Sequence, residues 1–310
     1  MTVRSALAES RNLPAVKTLA LYGPKKMIEF GRSMGITTWA ADAPYGLSLT
    51  LGSGEVKMMD MADAYGTIAN MGVRRDPILI RKITDSRGTI LVDNTAKHNF
   101  WSGIFKPVEA GDEASLMAGT GEGVRVMSKV AAYWLIDILS DNKARLPAFG
   151  PYAKLEVPGH HVAVKTGTTN DVKDNWTIGF TPDYLVATWV GNTDNSPMNK
   201  NLVSGITGAA PMWNEMMTNL VKDMPDRVWA APSDLVPVQI CATNGMLTCA
   251  NCPRTVTEYF MKGQEPKQAC SFESADVCTA RKAQAESENK SPDELKALLS
   301  NCVLQPSPAQ

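Results

Sequence analysis

Three short apolar runs in the middle of this 310-residue chain most constrain its fold. They cover residues 161–168, 176–180 and 184–190, and they are rich in β-branched and aromatic side chains. Thr181-Pro182-Asp183 favours a tight turn between the last two runs. Because consecutive strands with short links pair in antiparallel fashion, these runs predict an antiparallel sheet.

The first predicted strand ends in a cation, a glycine and hydroxyls: Lys165-Thr166-Gly167-Thr168-Thr169-Asn170. Lys165 supplies a positive charge, and Gly167 has no Cβ that would keep a substrate backbone away from the strand. Thr168 can offer its hydroxyl to a carboxylate and its backbone N–H to a developing oxyanion. The string predicts a site for a peptide carboxylate beside a scissile carbonyl, with these substrate-binding residues: Thr166, Gly167, Thr168 and Thr169. The two-residue period of a strand turns Thr166 to the opposite face, so it is not predicted to be catalytic.

Five further motifs accompany this string along the chain: Ser10-Arg11-Asn12 and residues 62–65, 174–176, 189–192 and 205–213. Together with Lys165-Thr166-Gly167, they resemble the transpeptidase domain of class A penicillin-binding proteins, which are bifunctional peptidoglycan glycosyltransferases and transpeptidases. The resemblance extends from the first residue to about residue 225, in the order that the family has.

This resemblance implies an α+β fold like that of β-lactamases and D,D-transpeptidases, in which helices flank an antiparallel sheet of five strands. It implies a serine acyl-enzyme that cross-links peptidoglycan. In that reaction a serine attacks a D-Ala-D-Ala stem peptide, and an amine from a neighbouring stem takes the acyl group. β-Lactams imitate the peptide and acylate the same serine. No cofactor is implied.

The catalytic residues that the matching motifs imply are Ser10, Asn12 and Lys165. Ser10 would pass a proton toward the reacting nitrogen, since a hydroxyl both donates and accepts; the alternative is a serine that caps a helix. Asn12 would hold the substrate amide, and the alternative is a turn residue. Lys165 would tune the proton relay and attract the terminal carboxylate, and the alternative is a solvated lysine at the end of a strand.

The Ser-x-x-Lys motif that carries the family's nucleophile is absent from its expected place before Ser10. Only nine residues precede Ser10, so the resemblance implies a domain truncated at its N-terminus and leaves enzyme activity of this chain open. Two other segments fit the Ser-x-x-Lys pattern: Ser140-Asp141-Asn142-Lys143 and Ser287-Glu288-Asn289-Lys290. We interpret the first as the end of a helix and the second as part of a polar tail, because neither has suitable apolar flanks on both sides.

Two other functions stay open from the sequence. Within the enzyme class, a D,D-carboxypeptidase or a serine β-lactamase shares these motifs and differs in using water as the acceptor. In another class, a non-catalytic module binds stem peptides or β-lactams without acylation. The absent serine motif favours the binding module.

Charge and hydropathy limit the partners of the chain. The net charge of −1 gives no indication of nucleic-acid binding, and no apolar run approaches the ~18 residues that span a bilayer. A membrane anchor is expected only in the preceding part of a full-length parent, located at the extracytoplasmic face of the plasma membrane or in the periplasm. The histidines His98, His160 and His161 lack acidic or cysteine partners at ligand spacing and predict no metal site.

The composition changes after residue 228, which predicts a transpeptidase domain over residues 1–228 and a cysteine-containing extension over residues 229–310. All six cysteines lie in the extension: Cys241, Cys249, Cys252, Cys270, Cys278 and Cys302. An even number confined to one small region favours disulfides, without choosing their pairing. The alternatives are free thiols, or zinc bound by Cys249-x-x-Cys252 and two later thiols.

Hydrophobic spacing and turn residues predict the local elements. Helices are predicted over residues 2–34 with breaks at Ser10 and Gly23-Pro24, and over 55–71, 124–140, 207–222 and 291–299. A hairpin with its first strand at 78–80 is predicted over 78–93, a loop over 94–121 and disorder over 305–310. The apolar positions predicted for the helix over 207–222 are Met212, Trp213, Met216 and Leu220.

Overall fold

The computed structural model describes residues 1–42, 44–93, 123–169, 171–199 and 207–302. The predictions for residues 94–121, which include His98, and for residues 305–310 lie outside the described residues. Contacts divide the chain into a larger unit, Val3–Pro232, and a smaller unit that contains Met1–Thr2 and the residues from Ser233 onward. The domain boundary expected after residue 228 stays a prediction.

The described ranges contain both α-helices and β-strands. The α-helices there are α1 Val3–Ala8, α2 Asn12–Tyr22, α3 Pro24–Ser33, α4 Met58–Ala69, α5 Lys129–Ser140, α6 Asn142–Phe149, α7 Ala209–Val221, α8 Ala275–Ser287 and α9 Pro292–Leu298. The β-strands there are β1 Val73–Arg74, β2 Lys82–Thr84, β3 Ile90–Asp93, β4 Val124–Arg125, β5 Ala163–Thr168, β6 Asp174–Phe180, β7 Leu185–Gly191, β8 Leu235–Cys241 and β9 Thr255–Met261. A short 3₁₀ helix covers Leu47–Leu51.

The first three helices break where the sequence predicts. After α1, Ser10 has a left-handed φ of 57°, and Arg11 N donates to Ala6 O at 2.9 Å across this turn. This arrangement is a Schellman helix end, in which the left-handed residue is usually glycine. Pro24 lies in the first turn of α3, where its missing N–H costs no intrahelical hydrogen bond. Both predicted breaks are confirmed.

The predicted antiparallel sheet is confirmed as β5–β6–β7. The register of β5 and β6 runs from Ala163 opposite Phe180 to Thr168 opposite Asn175. The tight turn between β6 and β7 is closed by Thr181, whose backbone N donates to the carbonyl of Tyr184 at 2.8 Å. The described sheet therefore has three of the five strands that the resemblance implies.

Alternate residues of this sheet pack against helices on its two faces. Ala163 and Phe180 belong to the apolar core that also includes residues of α4 and α5. Val164 and Val186 belong to a second core with α7. Because neighbouring residues of a strand point to opposite faces, Ala163 and Val164 place these two cores on opposite sides of β5.

The buried face of α7 differs from the predicted one. Trp213 is fully buried as predicted, but the predicted apolar positions Met212, Met216 and Leu220 are exposed. The rotation is set by Gly179, where an added Cβ would lie 2.4 Å from the Trp213 ring. The indole fills that space, so the buried stripe follows Trp213 in steps of four residues. The other buried residues of α7 are Ala209, Ala210, Met217 and Val221.

Two other elements begin later than predicted. The first strand of the hairpin is Lys82–Thr84 and not residues 78–80, because pairing outward from the turn at Asp85 brings Lys82 opposite Asp93. The helix predicted from residue 124 begins at Lys129, after Ser128 accepts a hydrogen bond from Ala131 N at 3.1 Å. Residues 124–125 instead form β4, which pairs with β1.

The smaller unit contains a two-stranded ribbon, β8–β9, and the helices α8 and α9. Its six cysteines form the disulfides Cys241–Cys252, Cys249–Cys270 and Cys278–Cys302. The disulfide interpretation is thus confirmed, and the alternatives of free thiols and zinc are wrong for this structure. The sequence did not predict β8, β9 or α8, since turn-forming residues and cysteines dominate this segment.

The helix predicted over 291–299 is confirmed as α9. Ser291 and Glu294 form a reciprocal capping box at its start. Within the described residues, no helix has both the length and the apolar character that crossing a membrane requires.

Candidate functional site

The free edge of β5 is the centre of the candidate site. No strand in the described part of the chain pairs with this edge. Thr169 N donates to Asp174 O at 3.1 Å, which sets the alternation of backbone hydrogen bonds between β5 and β6. Since every second residue of an antiparallel strand bonds to its neighbour, the backbone groups of Thr166 and Thr168 point away from β6. Two residues therefore offer backbone donors and acceptors at the free edge.

Lys165 connects this edge to the turn after α1. Its Nζ donates to the Oγ of Ser10 at 2.6 Å and to the carbonyl oxygen of Thr166 at 2.6 Å. The turn exposes Ser10, and its left-handed backbone allows the hydroxyl to meet an amine 155 residues further along the chain. The N-cap of α2 is Arg11, so the capping role considered for Ser10 is not the one that it has here.

Asn12 is the first residue of α2, two positions after Ser10, and its side chain is exposed. The helix therefore begins immediately beside the Ser10–Lys165 contact. The structure brings Ser10 and Lys165 into hydrogen-bond contact and leaves the amide of Asn12 facing solvent.

The environment of Lys165 lowers its pKa to about 8, first through burial and then through the positive charge of Arg145. Arg145 is buried and donates to the carbonyl oxygens of Leu139 and Leu155. Burial likewise lowers the pKa of Arg145, to about 10. Lys165 can therefore exchange a proton close to neutral pH, which an ordinary lysine does not do.

Sequence reasoning missed Arg145. It lies in α6, beside the Ser140 motif that was interpreted as a helix end. That interpretation is confirmed, because Ser140 is the last residue of α5 and Asp141 accepts from Ala144 N at 2.9 Å to start α6. In the sequence, Arg145 is marked only by its position shortly after the Ser140 motif. That position does not indicate that its charge acts on Lys165.

The two threonines of the string that follow Lys165 on β5 have different surroundings. The side chain of Thr166 is buried, so only its backbone is available at the free edge. Thr168 is exposed, and its Oγ1 accepts a hydrogen bond from Nδ2 of Asn175 at 3.0 Å. The register puts both threonines on the face of the sheet opposite to the Lys165 side chain.

Gly167 and Thr169 complete the string. A Cβ at Gly167 would meet only the Cβ of Trp176, at an ordinary 3.8 Å, so packing within the chain does not require glycine there. Thr169 closes the loop to β6, since its Oγ1 accepts from Lys173 N at 2.9 Å and from Asp174 N at 3.0 Å. The Asp174 carboxylate in turn accepts from the indole of Trp189 at 3.0 Å. The string thus consists of a strand with free space beside it and a fixed turn after it.

Groups of possible metal ligands in the described residues lie in the smaller unit. They are Cys241, Cys252 and Cys270, and Glu273 with Cys278 and Cys302. All of these sulfurs are in disulfides and present no thiolate to a metal. In the larger unit, Nδ1 of His161 lies 2.5 Å from a carboxylate oxygen of Asp226, a hydrogen-bond partner that the sequence did not indicate.

Two families match the chain. The penicillin binding protein transpeptidase domain matches residues 1–217, and the C-terminal domain of penicillin-binding protein 1A matches residues 231–273. The transpeptidase match covers Ser10, Asn12 and the whole of β5.

Similar proteins carry the same family name. Penicillin-binding protein 1A of Clostridium tetani is 28% identical over 291 residues, which cover 88% of this chain and 32% of that protein. Penicillin-binding protein 1A of Aquifex aeolicus is 29% identical over 271 residues, which cover 87% of this chain and 32% of that protein. The chain therefore spans about a third of the length of these curated relatives.

A solved structure is similar over most of the chain. The crystal structure of penicillin-binding protein 1A from Haemophilus influenzae has a TM-score of 0.67 and 25% identity, and the match covers 87% of this chain and 41% of that one. The α+β, β-lactamase-like fold that the motifs implied is thereby confirmed. By its transpeptidase match, its relatives and its fold, the chain belongs to the penicillin-binding protein transpeptidase family.

Proposed function

We propose that the free edge of β5 binds the D-Ala-D-Ala end of a peptidoglycan stem peptide, or a β-lactam in its place. In the full-length parent this site would serve D,D-transpeptidation through a serine acyl-enzyme. The observation that carries the proposal is the position of the Lys165 amine, 2.6 Å from both the Ser10 hydroxyl and the Thr166 carbonyl oxygen.

An extended peptide fits this edge as an added strand. The outward backbone groups of Thr166 and Thr168 offer it main-chain hydrogen bonds, as in other sheets that take up a peptide along an edge. Lys165 and Thr168 lie on opposite faces of β5, so Lys165 attracts the terminal carboxylate by its charge, whereas the Thr168 hydroxyl can donate to it. The Thr168 N–H is then available to an oxyanion that forms at the scissile carbonyl.

Ser10 and Lys165 support a proton relay beside that carbonyl. A lysine with a pKa of about 8 has both protonation states populated near neutral pH. Its hydrogen bond to Ser10 links the amine to a hydroxyl that both donates and accepts. Asn12, two residues further on, would hold the substrate amide.

The two Ser-x-x-Lys matches do not support a nucleophile in this chain. The Ser140 hydroxyl donates to the Ile136 carbonyl oxygen at 2.8 Å, within its own helix. Ser287 ends α8 in the smaller unit and donates to Gln284 O at 2.7 Å. We therefore assign acyl-enzyme formation to the parent, and reversible binding of stem peptides or β-lactams is the second candidate for the chain itself.

We also propose a domain boundary for the chain and a compartment for its parent protein. Residues 1–228 are proposed as the transpeptidase domain and residues 229–310 as its extension, since the two family matches lie on either side of that boundary. The three disulfides support an extracytoplasmic location of the parent, because disulfides persist in oxidising compartments.

The test uses a fluorescent penicillin with the full chain. Anisotropy measures binding, and a denaturing gel measures covalent attachment. We expect binding by the wild type, a loss of about tenfold or more for Lys165→Ala because a hydrogen-bonded charge is removed, and no change for the exposed control Lys154→Ala.

The outcomes separate the candidates. A covalent band that survives denaturation makes the chain an acylating enzyme, whereas reversible binding without a band makes it a binding module. Binding that is unaffected by Lys165→Ala contradicts the proposed site.

A further inference from the structure

Asn175 is a buried polar residue next to the candidate site, and no role has been assigned to it so far. Its side chain has no solvent exposure. It lies on β6 directly opposite Thr168. We propose that Asn175 is a positioning residue that aims the Thr168 hydroxyl at the carboxylate of a bound peptide. This inference rests on the proposed function of the β5 edge.

The orientation of the Asn175 amide is determined by its partner on α7. Ala209 N lies 2.7 Å from Oδ1 of Asn175. A backbone N–H can only donate, so the amide atom that faces it must be the oxygen. The NH₂ group then points the other way, where Nδ2 lies 3.0 Å from Oγ1 of Thr168.

This orientation sets the direction of the Thr168 hydroxyl. Because Nδ2 donates to Oγ1, the single hydroxyl hydrogen of Thr168 is directed to another acceptor. Thr168 is exposed at the end of β5, so that acceptor can be a ligand. A carboxylate only accepts hydrogen bonds, which makes it the complementary group.

The strand register explains why the two side chains meet. The Thr169–Asp174 backbone hydrogen bond makes the preceding pair, Thr168 and Asn175, a non-hydrogen-bonded pair of the ladder. Side chains of such pairs lie closer together than those of hydrogen-bonded pairs. Thr166 is opposite Thr177 in the same alternation, but it is buried and cannot offer its hydroxyl to a ligand.

Asn175 also has a structural task. Ala209 is the first residue of α7, and Gly208 before it has no side chain to cap the helix. Asn175 satisfies the Ala209 N–H from another element. An alanine substitution would therefore weaken α7 as well as release Thr168, so the test needs a variant that keeps the α7 contact.

Asn175→Asp is that variant when the assay is run above the pKa of the introduced carboxyl group, since the ionised carboxylate still accepts from Ala209 N but cannot donate to Thr168. The hydroxyl of Thr168 would then donate to residue 175 and be lost to the ligand. We expect labelled penicillin to bind about tenfold more weakly to Asn175→Asp and to Thr168→Val, the size of one lost hydrogen bond to a charged group. Thr168→Ser keeps the hydroxyl and should stay within about twofold of wild type.

The double variant Thr168→Val/Asn175→Asp decides the mechanism. If Asn175 acts through the Thr168 hydroxyl, the double variant binds no more weakly than Thr168→Val alone. Losses that multiply to about a hundredfold, or an Asn175→Asp chain that binds like wild type, overturn the inference. A melting curve confirms that each variant is folded before it is assayed.

A measurement on the free chain covers the cases in which Asn175→Asp does not fold or the wild type does not bind. The Asn175 side-chain NH₂ signals are followed by NMR for hydrogen exchange in wild type and Thr168→Val. We expect slow exchange of one amide proton in wild type and faster exchange in Thr168→Val. Equal exchange in both chains overturns the inference, whereas absence of penicillin binding by the wild type counts against the proposed function.

Discussion

Different interactions stabilise the larger unit and the smaller unit of this protein. In the larger unit, two apolar cores enclose side chains with no solvent exposure, among them Phe180, Trp213 and Met217. In the smaller unit few apolar side chains are buried, and three disulfides link its loops and helices. A segment of this size buries too little surface to be stable by packing alone, so covalent links take the place of a large core.

This difference in packing also explains why the candidate site lies in the larger unit. Lys165 and Thr168 are on a strand whose two faces are packed against the cores of the larger unit. A site built on a packed strand keeps its geometry better than one on a loop. The smaller unit has exposed helices and a two-stranded ribbon, which give no comparable support.

Reduction of the disulfides should have the largest effect. Each disulfide contributes about 2–5 kcal/mol in a small domain, so loss of three should unfold residues 233–302. Hydrogen exchange with and without a dithiol reductant measures this, and the larger unit is an internal control because it contains no cysteine. Retained protection of β8 and β9 after reduction would show that packing alone holds the smaller unit.

Truncation of the central side chain of α7 should have the next largest effect. Trp213→Ala removes a fully buried indole, and we expect a loss of about 3–5 kcal/mol in the free energy of unfolding. All seven tryptophans precede Ser233, so urea unfolding followed by tryptophan fluorescence reports on the larger unit only.

Met212→Ala is the matched control for that experiment. The exposed methionine is one position before Trp213, and its truncation should change the free energy of unfolding by no more than about 0.5 kcal/mol. Similar losses for the two variants would contradict the rotation of α7 described above.

The stability of the larger unit should depend on pH through Lys165. Its pKa is about 8 in the folded chain and 10.5 as an ordinary lysine, so the folded state binds fewer protons between these values. The free energy of unfolding should therefore rise with pH from about 8 to about 10.5. Lys165→Met lacks this pH-dependent contribution to the free energy of unfolding. Urea unfolding of the wild type and of Lys165→Met at pH 8, 9 and 10 isolates the contribution as the difference between them.

The difference in the free energy of unfolding between wild type and Lys165→Met should rise with pH. A difference that falls as the pH rises would mean that folding raises the pKa of Lys165, through a partner stronger than its burial.

The smallest effect is expected at the start of α9. Ser291→Ala removes the capping box with Glu294 and should cost about 1 kcal/mol. Ser274→Ala is the matched control, because Ser274 occupies the N-cap of α8 without a side-chain hydrogen bond to the helix. Hydrogen exchange of α8 and α9 in the oxidised chain measures both, and equal losses would mean that the capping box does not stabilise α9.

Much of the fold was accessible from local signals. The break at Ser10, the start of α3 at Pro24, the three strands of the sheet and the cap at Ser291 each depend on residues a few positions apart. The cysteine count indicated disulfides but not their pairing. The late start of β2 at Lys82 was missed because it depends on the partner strand and not on the apolar residues before it.

The candidate site was accessible only in part. The string from Lys165 to Thr169 was predicted from its chemistry, and Ser10 and Asn12 from a resemblance to a family. No role was predicted for Arg145 or Asn175. Arg145 acts on Lys165 from a separate helix, and the contact of Asn175 with Thr168 depends on the register of β5 and β6.

The amino-acid sequence by itself determined the three strands of the main sheet, where the first helices end, and that a cation, a glycine and hydroxyls share one strand. Only the tertiary structure decided which side of α7 is buried, which partner holds the Thr168 hydroxyl, and how far the pKa of Lys165 is lowered. The reason is physical: backbone propensity and capping act over one turn or one strand pair. Burial, packing against Gly179 and the charge of Arg145 depend on residues that only folding brings together.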